Sequence, residues 1–247
     1  MKEILTANQI AKMIDHSLLN PTFTTETIIE GCKIAMQYNC ATVCVRPADV
    51  ELAKKELKGS EVITTTVIGF PHGSNKTCVK VFEAKEAIKD GALELDMVMN
   101  IGRFLSGEYD YVIDDIKAVC DVAHNKNIIV KVILETAYLT PEQVELASML
   151  CEKAGADFVK TSTGYAPMGA TPTNLKIMRK STSSKIRVKA AGGVRTLDAA
   201  LVVRKCGGSR FGATATKVIM EEAYAREKTG TLCELDDNVI LELGGEY

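Results

Sequence analysis

The chain has 247 residues, 46% hydrophobic and 25% charged, with 30 Lys and Arg against 32 Asp and Glu and a net charge of -2. This is the mixture of a packed globular chain rather than a disordered or collagen-like one. The near-balance of charge supplies no positive field for holding nucleic acid or an anionic membrane. No apolar run reaches the ~20 residues of a membrane span, since the strongest, IIVKVIL from Ile128, is interrupted by Lys131. The first twenty residues carry Glu3 and Asp15 and read as no secretory signal. Eight cysteines are scattered without a CxxC pair, which predicts reduced thiols, a cytoplasmic protein and no structural metal.

No Pro, Gly or Ser-rich linker interrupts the sequence, so residues 1–247 read as one domain. In chain order the strand candidates are KMIDHSLL around Asp15, ATVCV at 41–45, VITTTVIG at 62–69, LELDMVMN at 93–100, IIVKVILE at 128–135, FVKTST at 158–163, IRVKAAG at 186–192 and SRFGAT at 209–214. Helix-length amphipathic stretches separate them. One runs from Lys80 to Asp90, before Gly91. Another opens with Thr140 as N-cap, Pro141 at the first helical position and Gln143 completing a capping box. Its Val144, Ala147 and Cys151 share one face, and Gly155 stops it. A third runs from Thr196 to about Cys206, before Gly207. Eight strands alternating with helices over this length predict an α/β fold, a (β/α)8 TIM barrel with a short extra N-terminal helix. An open doubly wound sheet is the alternative.

Strands of a parallel barrel are buried on both faces and should be apolar throughout. Asp15, Asp96, Lys131, Lys160 and Lys189 break that rule in mid-run. The lysines recur at a constant spacing of 29 residues, one βα period, which predicts comparable heights on three successive strands. For one such lysine an ion pair with an aspartate is explanation enough. Three together suggest chemistry: a second cation lowers the pKa of a neighbouring lysine and frees its amine to attack a carbonyl, forming a Schiff base as a class I aldolase does. An adjacent aspartate can then move the protons. Spacing alone does not rank Lys160 above Lys131 as the nucleophile.

Gly192-Gly193-Val194-Arg195 follows the seventh strand and Gly212-Ala213-Thr214 the eighth. Loops at those two places in a barrel commonly present backbone N–H groups to a phosphate. Each alone reads as an ordinary βα turn. The pair predicts a phosphorylated small-molecule substrate held by Gly192, Gly193, Gly212 and Thr214.

The stretches ELDMVMNIG at 94–102, KTSTG at 160–164 and KAAGGVRT at 189–196 closely resemble the deoxyribose-phosphate aldolase family. Supporting stretches are IDHSLL at 14–19, VCVRP at 43–47, IGFPHG at 68–73 and VFEAKEAIKDGA at 81–92. The resemblance implies a metal-free and cofactor-free barrel that reversibly cleaves 2-deoxy-D-ribose 5-phosphate to acetaldehyde and D-glyceraldehyde 3-phosphate. By motif it implies that Lys160 is the Schiff-base lysine, Lys189 the lysine that tunes it and Asp96 the proton relay. It adds Asp15, Cys44, Lys131, Thr163 and Gly164 to the substrate-contacting set, with Lys131 supporting Asp96 or Glu135. Another Schiff-base phosphosugar aldolase, a transaldolase, or a barrel that binds sugar phosphate without chemistry are the alternatives. The expected partners are a phosphosugar and aldehydes, with no nucleic acid or membrane. A homo-oligomer is allowed by the sequence, which does not fix a subunit count.

Three positions depart from the family pattern. Tyr165 stands where Phe or Lys often follows STG, Ala215 replaces a serine of the last loop and removes one hydroxyl, and Asn20 replaces a basic residue. His16 should face away from Asp15 by strand alternation, and His72 and His124 read as structural or surface residues. The C-terminal Gly244–Tyr247 segment reads as an exposed tail.

Overall fold

The computed structural model describes residues 3–236 and Leu243; the Gly244–Tyr247 tail lies outside them. A five-residue helix, α1 (Ala7–Ala11), precedes the repeats. These are β1 (Ile14–Leu18), α2 (Thr25–Gln37), β2 (Thr42–Val45), α3 (Val50–Glu56), β3 (Ile63–Ile68), α4 (Thr77–Asp90) and β4 (Glu94–Val98). They continue with α5 (Ile101–Leu105), α6 (Tyr109–His124), β5 (Ile129–Ile133), α7 (Pro141–Lys153), β6 (Phe158–Lys160), α8 (Pro172–Lys180), β7 (Arg187–Ala190), α9 (Leu197–Lys205), β8 (Arg210–Ala213) and α10 (Thr216–Lys228). All eight strands pair in parallel, and β8 returns to β1 to close the barrel. The (β/α)8 fold with its extra N-terminal helix is therefore as the alternation predicts, and the open sheet is excluded.

Local chemistry sets the boundaries. Thr140 accepts from the Gln143 N–H while the Gln143 side chain returns to the Thr140 N–H, so the capping box of α7 is complete. α4 ends on Gly91 at φ 114°, a left-handed turn that a side chain would resist. It begins at Thr77, earlier than the sequence suggests, because its cap, Lys76, makes no side-chain bond by which the start could be recognised. All eight strands are shorter than the runs the sequence predicts, and at β6 and β5 the local cause is plain. β6 stops at Lys160, after which the Thr161 hydroxyl accepts from the Ala191 N–H (3.0 Å) and donates to its carbonyl (3.1 Å), turning the chain out of the ladder. β5 stops at Ile133, two residues before the left-handed Glu135 (φ 56°).

Strand alternation splits the core into two layers. Outward-facing Val43, Leu95, Val130, Val159, Val188 and Phe211 are buried against apolar helix faces such as Ile28 and Cys32 of α2 and Val144, Ala147 and Cys151 of α7. Inward positions carry the charges. Among the described residues no helix is long and apolar enough to cross a membrane.

Candidate active site

In-register neighbours of a parallel sheet point to the same face. Asp96 on β4 pairs in register with Lys131 on β5, and Lys160 on β6 with Lys189 on β7. Lys131 aligns with Phe158, whereas Ile133 aligns with Lys160. This corrects the expectation of equal heights. Lys131 sits one inward step before Lys160 along the ladder, because sequence spacing says nothing of the stagger between strands.

The five charged residues nonetheless converge. Asp96 accepts at Oδ1 from Lys131 (2.8 Å) and at Oδ2 from both Lys160 (2.6 Å) and Lys189 (2.7 Å). Lys189 also pairs with Asp15 Oδ2. Two further residues complete the cluster: Glu94, 2.5 Å from Lys131, and Arg210, which holds Asp15 at 2.6 Å and Glu94 at 3.0 Å. Both carried a readable signal, since Glu94 lies two residues before Asp96 and Arg210 two before Gly212, on the same inward parity.

This ion-paired cluster sets four cations against three carboxylates. Burial works against the charge of Asp15 and Asp96, yet their lysine and arginine neighbours hold both carboxyls well below the usual range. Burial likewise disfavours the Lys160 ammonium, but Asp96 outweighs it and raises Lys160 above the ordinary lysine value. Asp96 thus favours the charged form of Lys160. The expectation of a lowered pKa applies to the effect of neighbouring cations alone, and the carboxylate beside Lys160 is stronger.

The floor of a cavity of ≈ 160 Å³ is formed by Lys160, Lys189, Asp15 and Cys44, with Thr163 and Gly164 on one wall and Gly192, Gly193, Gly212 and Thr214 on the other. Of the expected substrate contacts, Lys131 alone fails to reach it. Its ammonium is spent on Asp96, Glu94 and Asp15, and its side chain is fully buried, so it supports Asp96 from below the cavity and is no substrate contact. Glu135 is not its partner either: Glu135 accepts from the Thr163 N–H (3.2 Å) and hydroxyl. Burial raises the Cys44 thiol to about 11, so it packs as a small neutral group.

Gly192 and Gly193 both adopt left-handed φ, 81° and 86°, which lets the backbone after β7 double back beside the cavity. After β8, α10 starts from Ala215, which makes no side-chain cap bond. An uncapped helix N-terminus at a cavity wall suits an anion. His16 faces away from Asp15, bonded through Nδ1 to Thr216 Oγ1 at 2.8 Å, and burial lowers its pKa to about 4. His124 pairs with Asp157 at a helix end, and His72 is exposed. Among the described residues no three His, Cys, Asp or Glu side chains converge to hold a metal ion.

A further buried pair escaped the sequence entirely. Lys80 of α4 donates to Asp115 of α6 (2.5 Å) and to the Val98 carbonyl at the end of β4 (2.9 Å). On an amphipathic helix such a lysine looks like any solvated position.

Lysine imine chemistry on a (β/α)8 barrel is the class of enzyme these features define. Comparison with known proteins supplies the family. The DeoC/LacD family aldolase profile matches residues 9–232, and the chain belongs to that family. It is 53% identical over 213 residues to the deoxyribose-phosphate aldolase of Clostridium perfringens (strain 13 / Type A), covering 86% of this chain and 95% of that one. It is 50% identical over 220 residues to that of Thermococcus gammatolerans, covering 88% and 98%. A solved structure, a tetrameric deoxyribose phosphate aldolase from Aeropyrum pernix, superposes with a TM-score of 0.82 at 28% identity, covering 89% and 93%.

Proposed function

We propose that the protein is a class I aldolase that reversibly cleaves 2-deoxy-D-ribose 5-phosphate to acetaldehyde and D-glyceraldehyde 3-phosphate, with residues 1–247 as one catalytic domain. The observation that carries the reading is the Lys160 amine at the cavity floor, 2.6 Å from a carboxylate that Lys189 also holds, with two glycine loops opposite. Neutral Lys160 attacks the C1 aldehyde of the open-chain sugar to give a carbinolamine, and loss of water gives the imine. The C3 hydroxyl then loses its proton and the C2–C3 bond breaks. Its electron pair passes to the protonated imine, giving an enamine on Lys160 and free D-glyceraldehyde 3-phosphate. Protonation at C2 and hydrolysis release acetaldehyde. Asp96, bonded to both lysines, carries protons in carbinolamine formation and breakdown. The excess positive charge of the cluster assists loss of one ammonium proton. The reading places the enzyme in the cytoplasm with reduced cysteines. The tetrameric A. pernix relative favours a homo-oligomer here too.

Backbone N–H groups of the two glycine loops hold the phosphate in this scheme, so the missing hydroxyl at Ala215 weakens binding without abolishing it. One hydrogen bond to a charged group is worth about 1.5–3 kcal/mol. Ala215→Ser is expected to lower KM for deoxyribose 5-phosphate while leaving unphosphorylated deoxyribose almost unaffected, and inorganic phosphate should compete with the sugar phosphate. Product analysis separates this reaction from transaldolase chemistry. Equal efficiency on deoxyribose and its 5-phosphate would reject the phosphate site.

A further inference from the structure

Tyr165 follows Gly164 in the loop after β6, and its ring crosses the mouth of the barrel. Its hydroxyl donates to the Leu19 carbonyl (2.8 Å), just after β1, across 146 residues of sequence. Its ring meets Phe70, just after β3, edge-on at 5.5 Å between centroids. In a closed eight-strand barrel β2 lies diametrically opposite β6, and β1 and β3 flank β2, so these two contacts tie the loop after β6 to loops on the far side of the mouth. The far anchor is itself fixed. Arg46, after β2, donates to the carbonyls of Asn20 (3.3 Å) and Pro21 (3.2 Å) and is held by Asp49 at 2.6 Å.

This bar divides the mouth into two halves. The cavity above Lys160 is lined from β1, β2, β6, β7 and β8, and no described residue of the loops after β3, β4 and β5 lines it. The glycine loops lie on the cavity's side of the bar. Gly164 and Leu19, which the Tyr165 side chain ties together, both line the cavity, so a substrate chain leaving the Lys160 imine has the glycine loops of β7 and β8 on one side and the Tyr165 tie on the other.

We infer that Tyr165 is a specificity-determining residue that closes the β3–β5 half of the mouth and so excludes long, unphosphorylated aldehydes. Such aldehydes have no group for the glycine loops and must lodge their apolar chain elsewhere. The inference rests on the proposed aldolase reading but concerns selectivity rather than chemistry. Because Tyr165 is about half exposed (49%), its removal leaves no core cavity.

The test is aldol synthesis with acetaldehyde as donor, comparing kcat/KM for hexanal and for D-glyceraldehyde 3-phosphate as acceptors. Tyr165→Ala is expected to raise the hexanal to glyceraldehyde 3-phosphate ratio about tenfold or more, whereas Tyr165→Phe, which keeps the ring against Phe70, stays within about threefold of the parent. An unchanged ratio in Tyr165→Ala, or a parallel loss on both acceptors, overturns the inference while leaving the aldolase reading intact. Absence of any product from acetaldehyde and glyceraldehyde 3-phosphate with the unmodified protein overturns both.

Discussion

Asp96→Asn is expected to lower turnover at neutral pH by about three orders of magnitude, the scale of a lost general acid–base. The substitution preserves volume and removes a charge that three lysines share. Two opposed consequences follow for Lys160. Its pKa, raised by Asp96, falls, so the pH above which free amine accumulates moves down. The group that carries protons to and from the carbinolamine is lost at the same time. Single-turnover imine formation measured against pH should therefore show an alkaline limb shifted to lower pH together with a much reduced limiting rate. Substrate binding should weaken far less. If only binding suffered and the bound complex reacted at its normal rate, Asp96 would be a positioning residue.

Lys189→Leu ranks next. Lys189 bridges Asp96 and Asp15 directly in register with Lys160. Without it the cluster holds three cations and three carboxylates, its excess positive charge is gone, and the Lys160 proton is held more firmly. Turnover at pH 7 should fall by about two orders of magnitude, the scale of one close charge. Because the defect is one of protonation, part of the activity should return as the pH is raised. Lys189→Arg restores a cation with different reach and no transferable proton, so it should rescue only partly. Circular dichroism checks that each variant folds, since a buried charge left unpaired is destabilising. Full activity of Lys189→Leu at pH 7 would eliminate this role.

The barrel was legible because parallel strands buried on both faces read as apolar runs, and because Thr140 with Gln143, and Gly91 and Gly155, mark where helices begin and end. The lysines and aspartates stood out as charges in those runs. What the chain does not spell out is how one strand slides against the next. Lys131 accordingly reads as an equal of Lys160, although the ladder sets it one inward step lower, beneath the cavity. Glu94 and Arg210 shared the inward parity of Asp96 and Gly212 but lay at strand edges, where charges are ordinary. The Lys80–Asp115 pair had no signal, because a lysine on an amphipathic helix is polar by default. The Tyr165 contacts join loops far apart in sequence, and only barrel closure brings them together.

The central claim is that Lys160, among three lysines sharing one carboxylate, is the nucleophile. Reducing the protein with borohydride in the presence of acetaldehyde and mapping the modified peptide by mass spectrometry tests this directly. The account predicts a single ethyl adduct on Lys160, absent from Lys160→Leu. A stable adduct on Lys131 or Lys189, or no adduct in a protein that still cleaves deoxyribose 5-phosphate, would contradict it.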